Sequence, residues 1–137
     1  MDNFKKEIAI QGIIQMAVKT ENMCLKKDTF GLLFGNIVAL CVVPIVMPLI
    51  FWQYKEDLKF ATKYFILTIH AAMCSIITLP LIYIDIAKVG AISMWYADKT
   101  YQLFKGGEKL KVADENGELY EFDEEKYEAW LRKAIAA

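Results

Sequence analysis

Two long stretches without ionised side chains constrain this chain most. From Thr29 to Tyr54 there is no charged residue, and from Tyr64 to Ile84 the one group that ionises near neutral pH is His70. Because an α-helix rises 1.5 Å per residue, about 20 apolar residues cross the roughly 30 Å hydrocarbon core of a bilayer. We therefore predict a hairpin of two transmembrane helices, joined by a short polar segment.

Composition excludes several classes of function. The 137 residues are 56% apolar and carry a net charge of −1, without a basic patch for nucleic acid. Cys24, Cys41 and Cys74 have no CxxC spacing, so we expect no zinc site, iron–sulfur cluster or disulfide framework.

We find no phosphate-binding glycine loop, no metal-spaced acids and no nucleophile motif, and we predict that the chain is not an enzyme. Charges are spread through the first 28 residues, so no cleavable signal peptide is expected.

The segment from residue 3 to residue 25 has the pattern of an amphipathic helix. Its predicted apolar side consists of Ile10, Ile13, Ile14, Ala17 and Val18, with polar residues at helical spacing on the other side. Two interpretations carry equal weight. The helix either lies in the membrane interface, with its lysines near anionic headgroups, or packs on another protein subunit.

The two predicted spans, about Phe30 to Trp52 and Phe60 or Tyr64 to Ile84, are expected to be kinked and to meet through small residues. Prolines remove a helix hydrogen bond, so kinks are expected where they occur, at Pro44, Pro48 and Pro80. Small residues at helical spacing let two backbones approach closely in lipid. The candidate helix-packing residues are Gly31, Gly35 and Ala39 in the first span and Ala71 and Ser75 in the second.

Four polar residues lie in or beside the predicted spans. Asn36 is expected to form a hydrogen bond across helices and so set their register, with a substrate contact as the alternative. His70 is expected to form a hydrogen bond with a neighbouring helix, with proton relay, quinone contact or haem ligation as alternatives. Asp85 and Lys88 are three residues apart and are expected to form an interfacial ion pair, with a transport or gating pair as the alternative.

The segment after Asp85 leaves three interpretations open: a continuation of the second helix into water, an interfacial helix, or a short third span. We favour a helix to about Phe104, ended by Gly106 and Gly107. If the chain has two spans, both termini lie on one side of the membrane and the loop lies on the other. Six lysines are near the spans on the side of the termini, and three are in the loop. The terminal set is Lys19, Lys26, Lys27, Lys88, Lys99 and Lys105, and the loop set is Lys55, Lys59 and Lys63. This bias favours both termini on the cytoplasmic or matrix side.

The last 33 residues have the pattern of a small soluble ββα module. Residues 109–113 and 118–122 alternate like strands around a turn that contains Asn116-Gly117. Asp123 is placed to cap a final helix. Four apolar residues of that helix, Tyr127, Trp130, Leu131 and Ile135, share one face with Ala134. Because so small a module is not stable alone, this face needs a surface, for which a partner, the membrane and the hairpin are the candidates.

Two short runs resemble motifs of a known family. The run from Pro48 to Asp57, together with Leu103 to Glu108, resembles the span endings of small bacterial membrane proteins related to the membrane-embedded subunit of the chloroplast Tic translocon. The segment that usually opens the next span in that family is replaced here by Lys63-Tyr64-Phe65-Ile66. The resemblance implies a three-span helical unit without an assigned biochemical role, and it identifies no functional residue.

We therefore predict an all-α integral membrane protein in three regions: an interfacial helix at 1–28, a transmembrane hairpin with a helical extension at 29–104, and a soluble tail at 105–137. The expected function is that of an accessory subunit of a larger complex in the bacterial or mitochondrial inner membrane, in contact with lipid and other subunits. One alternative is a self-assembling, holin-like pore built from homo-oligomers. Another is a membrane anchor that binds haem or quinone through His70; otherwise no cofactor and no metal site are expected.

Overall fold

The computed structural model describes residues 2–53, 58–114 and 116–136. Within these ranges the chain forms five helices and one two-stranded antiparallel sheet. In chain order the elements are α1 (Asp2–Leu25), α2 (Thr29–Gln53), α3 (Leu58–Ile84), α4 (Ile86–Phe104), β1 (Lys111–Ala113), β2 (Leu119–Glu121) and α5 (Glu124–Ala136). The chain is thus mostly helical, with the small strand hairpin and final helix that the tail sequence predicts.

The two apolar stretches form the helices α2 and α3, which pack against each other. Both helices continue through their prolines without ending. Among the described residues, one segment, Phe65–Ile84, is long and apolar enough to cross a membrane by length and composition, and 28% of it is buried. The apolar segment Thr29–Val42 is shorter. Helix α3 begins at Leu58, before the predicted start at Phe60 or Tyr64, so part of the polar segment is helical. Residues 54–57 lie outside the described ranges.

A break at Asp85 turns the chain back along α3. The Asp85 backbone is extended, with φ −154° and ψ 92°, and α4 begins at the next residue. The Tyr96 hydroxyl donates to the Leu67 carbonyl oxygen at 2.9 Å, and Phe104 joins Leu67 in one apolar cluster. Helix α4 is therefore antiparallel to α3, and the interpretation as a continuation of the second helix is wrong.

This reversal changes the expected distribution of charge. Because α4 returns along α3, its last residues lie beside the first turns of α3, where the Lys63 amino group is 5.9 Å from the centre of the Phe104 ring. Lys99 and Lys105 therefore lie toward the loop end of the hairpin. The predicted count of six terminal lysines against three loop lysines does not hold for this packing.

The end of α4 agrees with the sequence prediction. Gly106 and Gly107 have φ values of 67° and 96°, which residues with a side chain rarely adopt. The Gly107 amide donates to the Gln102 carbonyl oxygen at 2.8 Å and so satisfies one of the last carbonyls of the helix.

Helix α1 packs against α4 of the same chain, with smaller contacts to α2 and α5. Its buried residues are seven apart, at Ile10, Ala17 and Cys24, as expected for one face of a helix that packs on another. Val18, predicted on the apolar side, is 42% exposed. Neither the membrane interface nor a second subunit covers the buried face of α1, because the chain's own helices do.

The tail follows the predicted local chemistry. The strands pair in the register Lys111↔Glu121, Val112↔Tyr120 and Ala113↔Leu119. The Asp123 carboxylate accepts a hydrogen bond from the Glu125 amide at 3.1 Å and caps α5. Helix α5 packs against α4 and α1, so the chain itself supplies the surface that the apolar face of this helix needs.

Candidate functional site

A cavity of about 210 Å³ lies between α1, α2, α3 and α4. All five predicted helix-packing residues, together with Asn36, line it: Gly31, Gly35, Ala39, Ala71 and Ser75. The small faces of α2 and α3 therefore meet on the same side of the hairpin, as predicted. They do not close completely, and the other walls of the space come from α1 and α4.

Gly31 and Gly35, which are four residues apart and form a GxxxG pattern, have different environments. A Cβ atom on Gly31 would overlap the Asp28 carboxylate and would lie 3.0 Å from the Met23 sulfur. A side chain at Gly31 would displace the Asp28 carboxylate, which accepts a hydrogen bond from the Gly31 amide at 3.0 Å at the start of α2. A Cβ atom on Gly35 would meet nothing within 4 Å, because this residue borders the cavity.

Polar groups inside the cavity join α2 to α3. The Asn36 side-chain amide donates to the Thr78 hydroxyl oxygen at 2.8 Å, which is the cross-hairpin hydrogen bond that the sequence predicts. The Thr78 hydroxyl in turn donates to the Cys74 carbonyl oxygen at 2.8 Å. Ser75 is 7% exposed, and within the described ranges no hydrogen bond is found for its hydroxyl.

The cavity opens between α1 and α2. Met16 (63% exposed), Lys19 and Gly35 are the exposed residues of its lining and mark the mouth. No ion pair is found for Lys19 among the residues that the structure describes. The mouth of a mainly apolar cavity therefore carries one positive charge.

His70 does not line this cavity. It is half-buried on α3, and its ring centre lies 6.2 Å from that of Trp95 on α4. Across the described ranges there is no group of three or more His, Cys, Asp or Glu side chains that could hold a metal ion. The geometry thus places the imidazole beside an aromatic ring.

Asp85 and Lys88 bind α5 instead of pairing with each other. The Arg132 guanidinium donates to both carboxylate oxygens of Asp85 at 3.0 Å, and Lys88 lies 3.5 Å from Glu128. The hydrogen bonds from Arg132 hold the pKa of Asp85 below its ordinary value. These contacts fasten the start of α4 to the last helix, which sequence spacing alone does not reveal.

Two of the four residues predicted to bind a partner are in the core. Tyr127 and Leu131 are 1% and 0% exposed, so neither presents a surface to another molecule in this fold. The Tyr127 hydroxyl donates to the Glu21 carboxylate at 2.9 Å, and burial raises its pKa. Trp130 and Ile135 are half-buried against the same core.

Sequence reasoning missed Asp98. This carboxylate is 3% exposed and accepts hydrogen bonds from the Leu110 amide at 2.9 Å and the Gln102 side chain at 2.7 Å. It therefore fastens the entry of the tail to α4. The spacing of four residues between Asp98 and Gln102 was the available signal, since such pairs are neighbours on a helix.

No protein-family model matches this chain, and no curated protein or solved structure matches it either. The resemblance to the Tic-related membrane proteins stays a prediction.

Proposed function

We propose that this protein is a membrane-bound accessory subunit whose α2–α3 hairpin contacts lipid while α1, α4 and the tail form a polar body beside it. The observation that carries this proposal is the outer surface of the hairpin. Its large apolar side chains are exposed on α2, at Phe30, Phe34, Ile37, Val38, Val42, Ile45, Leu49 and Trp52, and on α3, at Ile66, Ile69, Met73, Ile76, Ile77, Tyr83 and Ile84.

An aqueous environment is unfavourable for such a surface. Soluble monomers rarely expose contiguous apolar patches larger than a few hundred Å², and larger ones mark contacts with membranes or proteins. The central helix of a soluble bundle would have most of its apolar residues covered, whereas 28% of Phe65–Ile84 is buried. A hydrocarbon environment accounts for both the composition and the exposure of this helix.

The position of the charges favours side-on contact with the membrane, in which one face of the α2–α3 hairpin lies in the hydrocarbon and neither helix crosses the bilayer. Helix α4 packs along α3, and α1 packs against α4. Both α1 and α4 carry charged residues, such as Lys19 and Lys99. Charged groups at the centre of a bilayer are costly. We therefore place the outer face of α2–α3 in the hydrocarbon and the α1–α4 layer in the headgroups and water. A hairpin that crosses the membrane would require α4 to separate from α3.

An accessory role fits the geometry better than the two alternatives. A holin-like pore assembled through GxxxG needs that face free, and Gly31 and Gly35 border the chain's own turn and cavity. Haem ligation needs an open histidine site, and His70 packs against Trp95. What remains is a lipid-facing hairpin attached to a charged body, which is suited to holding other subunits at a membrane.

Cys41 provides a direct test, because it is exposed on α2. In a chain with Cys24 and Cys74 replaced by Ala, a water-soluble maleimide is applied to native membranes. We expect Cys41 to react at less than about a tenth of the rate of a Leu119→Cys control in the same background, because thiolates do not form in hydrocarbon. After solubilisation in dodecyl sulfate the two rates should be similar. Equal rates in intact membranes, or a protein that stays soluble without detergent, would refute the proposal.

A second pair of variants separates the two membrane arrangements. Lys59→Cys lies near the start of α3 and Leu119→Cys lies in the tail, and both positions are exposed. Side-on contact predicts that an impermeant maleimide labels both from the same side of sealed vesicles. Labelling from opposite sides would show that the hairpin crosses the membrane.

The subunit role has its own measurement. Lysine crosslinking in native membranes, followed by mass spectrometry, should join the exposed lysines of α1 or the tail to the same membrane protein in repeated preparations. Crosslinks confined to this chain would contradict the accessory role while leaving the membrane contact intact.

A further inference from the structure

We propose that the cavity between α1, α2, α3 and α4 binds one alkyl chain that ends in an anionic oxygen head group, as in a fatty acid. The alkyl chain would occupy the apolar interior, and the head group would lie at the mouth beside Lys19. This inference goes beyond the accessory role and does not depend on it.

The size of the cavity suits a hydrocarbon segment. An apolar cavity of about 150 Å³ is already large enough for benzene. The present cavity, at about 210 Å³, is larger than that but smaller than the roughly 300–1,000 Å³ typical of sites for drug-sized ligands. A macrocycle such as haem is therefore too large, whereas part of an alkyl chain fits. The small residues Ala39 and Ala71 leave room along the wall.

The polar groups of the lining indicate an acceptor as the head group. The lining described by the structure holds one cation, Lys19, and no acidic side chain. Ser75 is 7% exposed and borders the cavity, and no hydrogen bond is found for its hydroxyl within the described ranges. Asn36 donates to Thr78 through its amide nitrogen, which carries a second N–H group. At the mouth, the Lys19 ammonium group, for which no ion pair is found in the described ranges, matches the oxygens of an anion.

The mouth is placed where such a ligand would enter. Met16, Lys19 and Gly35 are exposed between α1 and α2, so the interior opens to the surroundings at this point. A head group held there keeps its charge near water while its chain leaves water. An amphiphile bound in this way keeps its charged end in water and its alkyl end among apolar side chains.

Gly35→Leu tests the occupancy of the cavity. The new side chain has space, since a Cβ at Gly35 meets nothing within 4 Å, and it would fill the mouth. Gly12→Leu is the matched control, because Gly12 is an exposed helical glycine outside the cavity with the same free space. The full chain is reconstituted in phosphatidylcholine nanodiscs with doxyl-labelled stearate. Electron paramagnetic resonance then measures the immobilised fraction of the label.

We expect a saturable immobilised component of about one label per chain in the wild type and in Gly12→Leu. Gly35→Leu should weaken binding by at least about tenfold, which is the loss expected when a ligand's site is occupied by protein atoms. Equal immobilisation in Gly35→Leu and Gly12→Leu, or none in the wild type, would overturn the proposal.

Lys19→Gln tests the head group, and it also decides the matter if Gly35→Leu fails to fold. Decanoate, decyl phosphate and decanol are used as competitors of the labelled stearate. Loss of the charge should weaken the two anions by roughly tenfold and leave decanol unchanged, while the control Lys26→Gln changes neither. Preference for decanoate or for decyl phosphate distinguishes a free fatty acid from a lipid phosphate as the source. Decanol competing as well as both anions in the wild type would refute the anionic head group.

Discussion

The α2–α3 hairpin and the α4–tail region differ in where they place their apolar side chains. Among the described side chains of α2 only Leu32 is buried, although α2 is the most apolar helix of the chain. Helix α4 is less apolar and buries nine residues. The core is therefore built mainly where apolar and charged residues alternate at helical spacing. The region richest in apolar residues faces outward, and its stability depends on the solvent around it.

The largest effect on the free energy of unfolding is expected when a similar apolar volume is removed from each of the two regions. Leu131 is fully buried, and its side chain lies so close to Gly90 that a Cβ there would overlap it. We expect Leu131→Ala to lower the free energy of unfolding by about 2–5 kcal/mol, because it leaves a cavity. Ile76→Ala removes an exposed group on α3, at 59% exposure, and should change stability in detergent by less than about 0.5 kcal/mol.

Urea unfolding followed by circular dichroism measures both variants. The reactivity of Cys24 gives a second measurement, since burial raises its pKa to about 12 and its thiol should react only when the tail opens. Faster labelling of Cys24 is expected in Leu131→Ala and not in Ile76→Ala. Equal destabilisation by the two substitutions would show that both regions are packed in the same way.

The next effect concerns the attachment of the tail to α4. Asp98→Ala removes the acceptor for the Leu110 amide and for Gln102. Hydrogen bonds to a charged group contribute about 1.5–3 kcal/mol, so a loss in that range is expected in urea unfolding. Lys99→Ala, at the next and exposed position, is the control and should have little effect. An unchanged Asp98→Ala variant would mean that the tail is held by its apolar face alone.

The smallest effect is the pH dependence of the link between α4 and α5. The Arg132 hydrogen bonds lower the pKa of Asp85, so this carboxylate binds protons less readily in the folded chain than in the unfolded chain. Its stabilising contribution is therefore complete above its ordinary pKa of 3.8 and is lost as the pH falls through the lower, folded value. Asp85→Asn should flatten the fall of the thermal midpoint in acid and should change it little at pH 7, where exposed ion pairs contribute little.

The control for that experiment is Asp114→Asn, because Asp114 is an acidic residue in the strand turn, away from Arg132. Comparison of the two thermal midpoints between about pH 3 and pH 7 isolates the Asp85 contribution. If the thermal midpoint falls equally in acid in the wild type and in Asp85→Asn, the pairing of Asp85 with Arg132 is contradicted.

Features with short sequence range were predictable. The end of α4 at Gly106 and Gly107, the cap at Asp123 and the strand turn at Gly117 all depend on backbone chemistry within a few residues. The hydrogen bond from Asn36 was predictable because, in an antiparallel hairpin, the connection between the helices fixes which residues of one helix lie beside which residues of the other. The pairing of Asp85 with Arg132, 47 residues away, was not, since nothing local distinguishes that carboxylate from one paired with Lys88.

By itself the sequence determined which segments are helical and which helices are the most apolar, because these properties follow from composition and local spacing. Only the tertiary structure decided that α4 turns back along α3, that α1 and α5 cover it, and that the small faces of the hairpin leave a cavity. Those outcomes depend on which of several apolar faces pack together. That choice is made by the shapes and charges of residues far apart in the chain, which no local pattern contains.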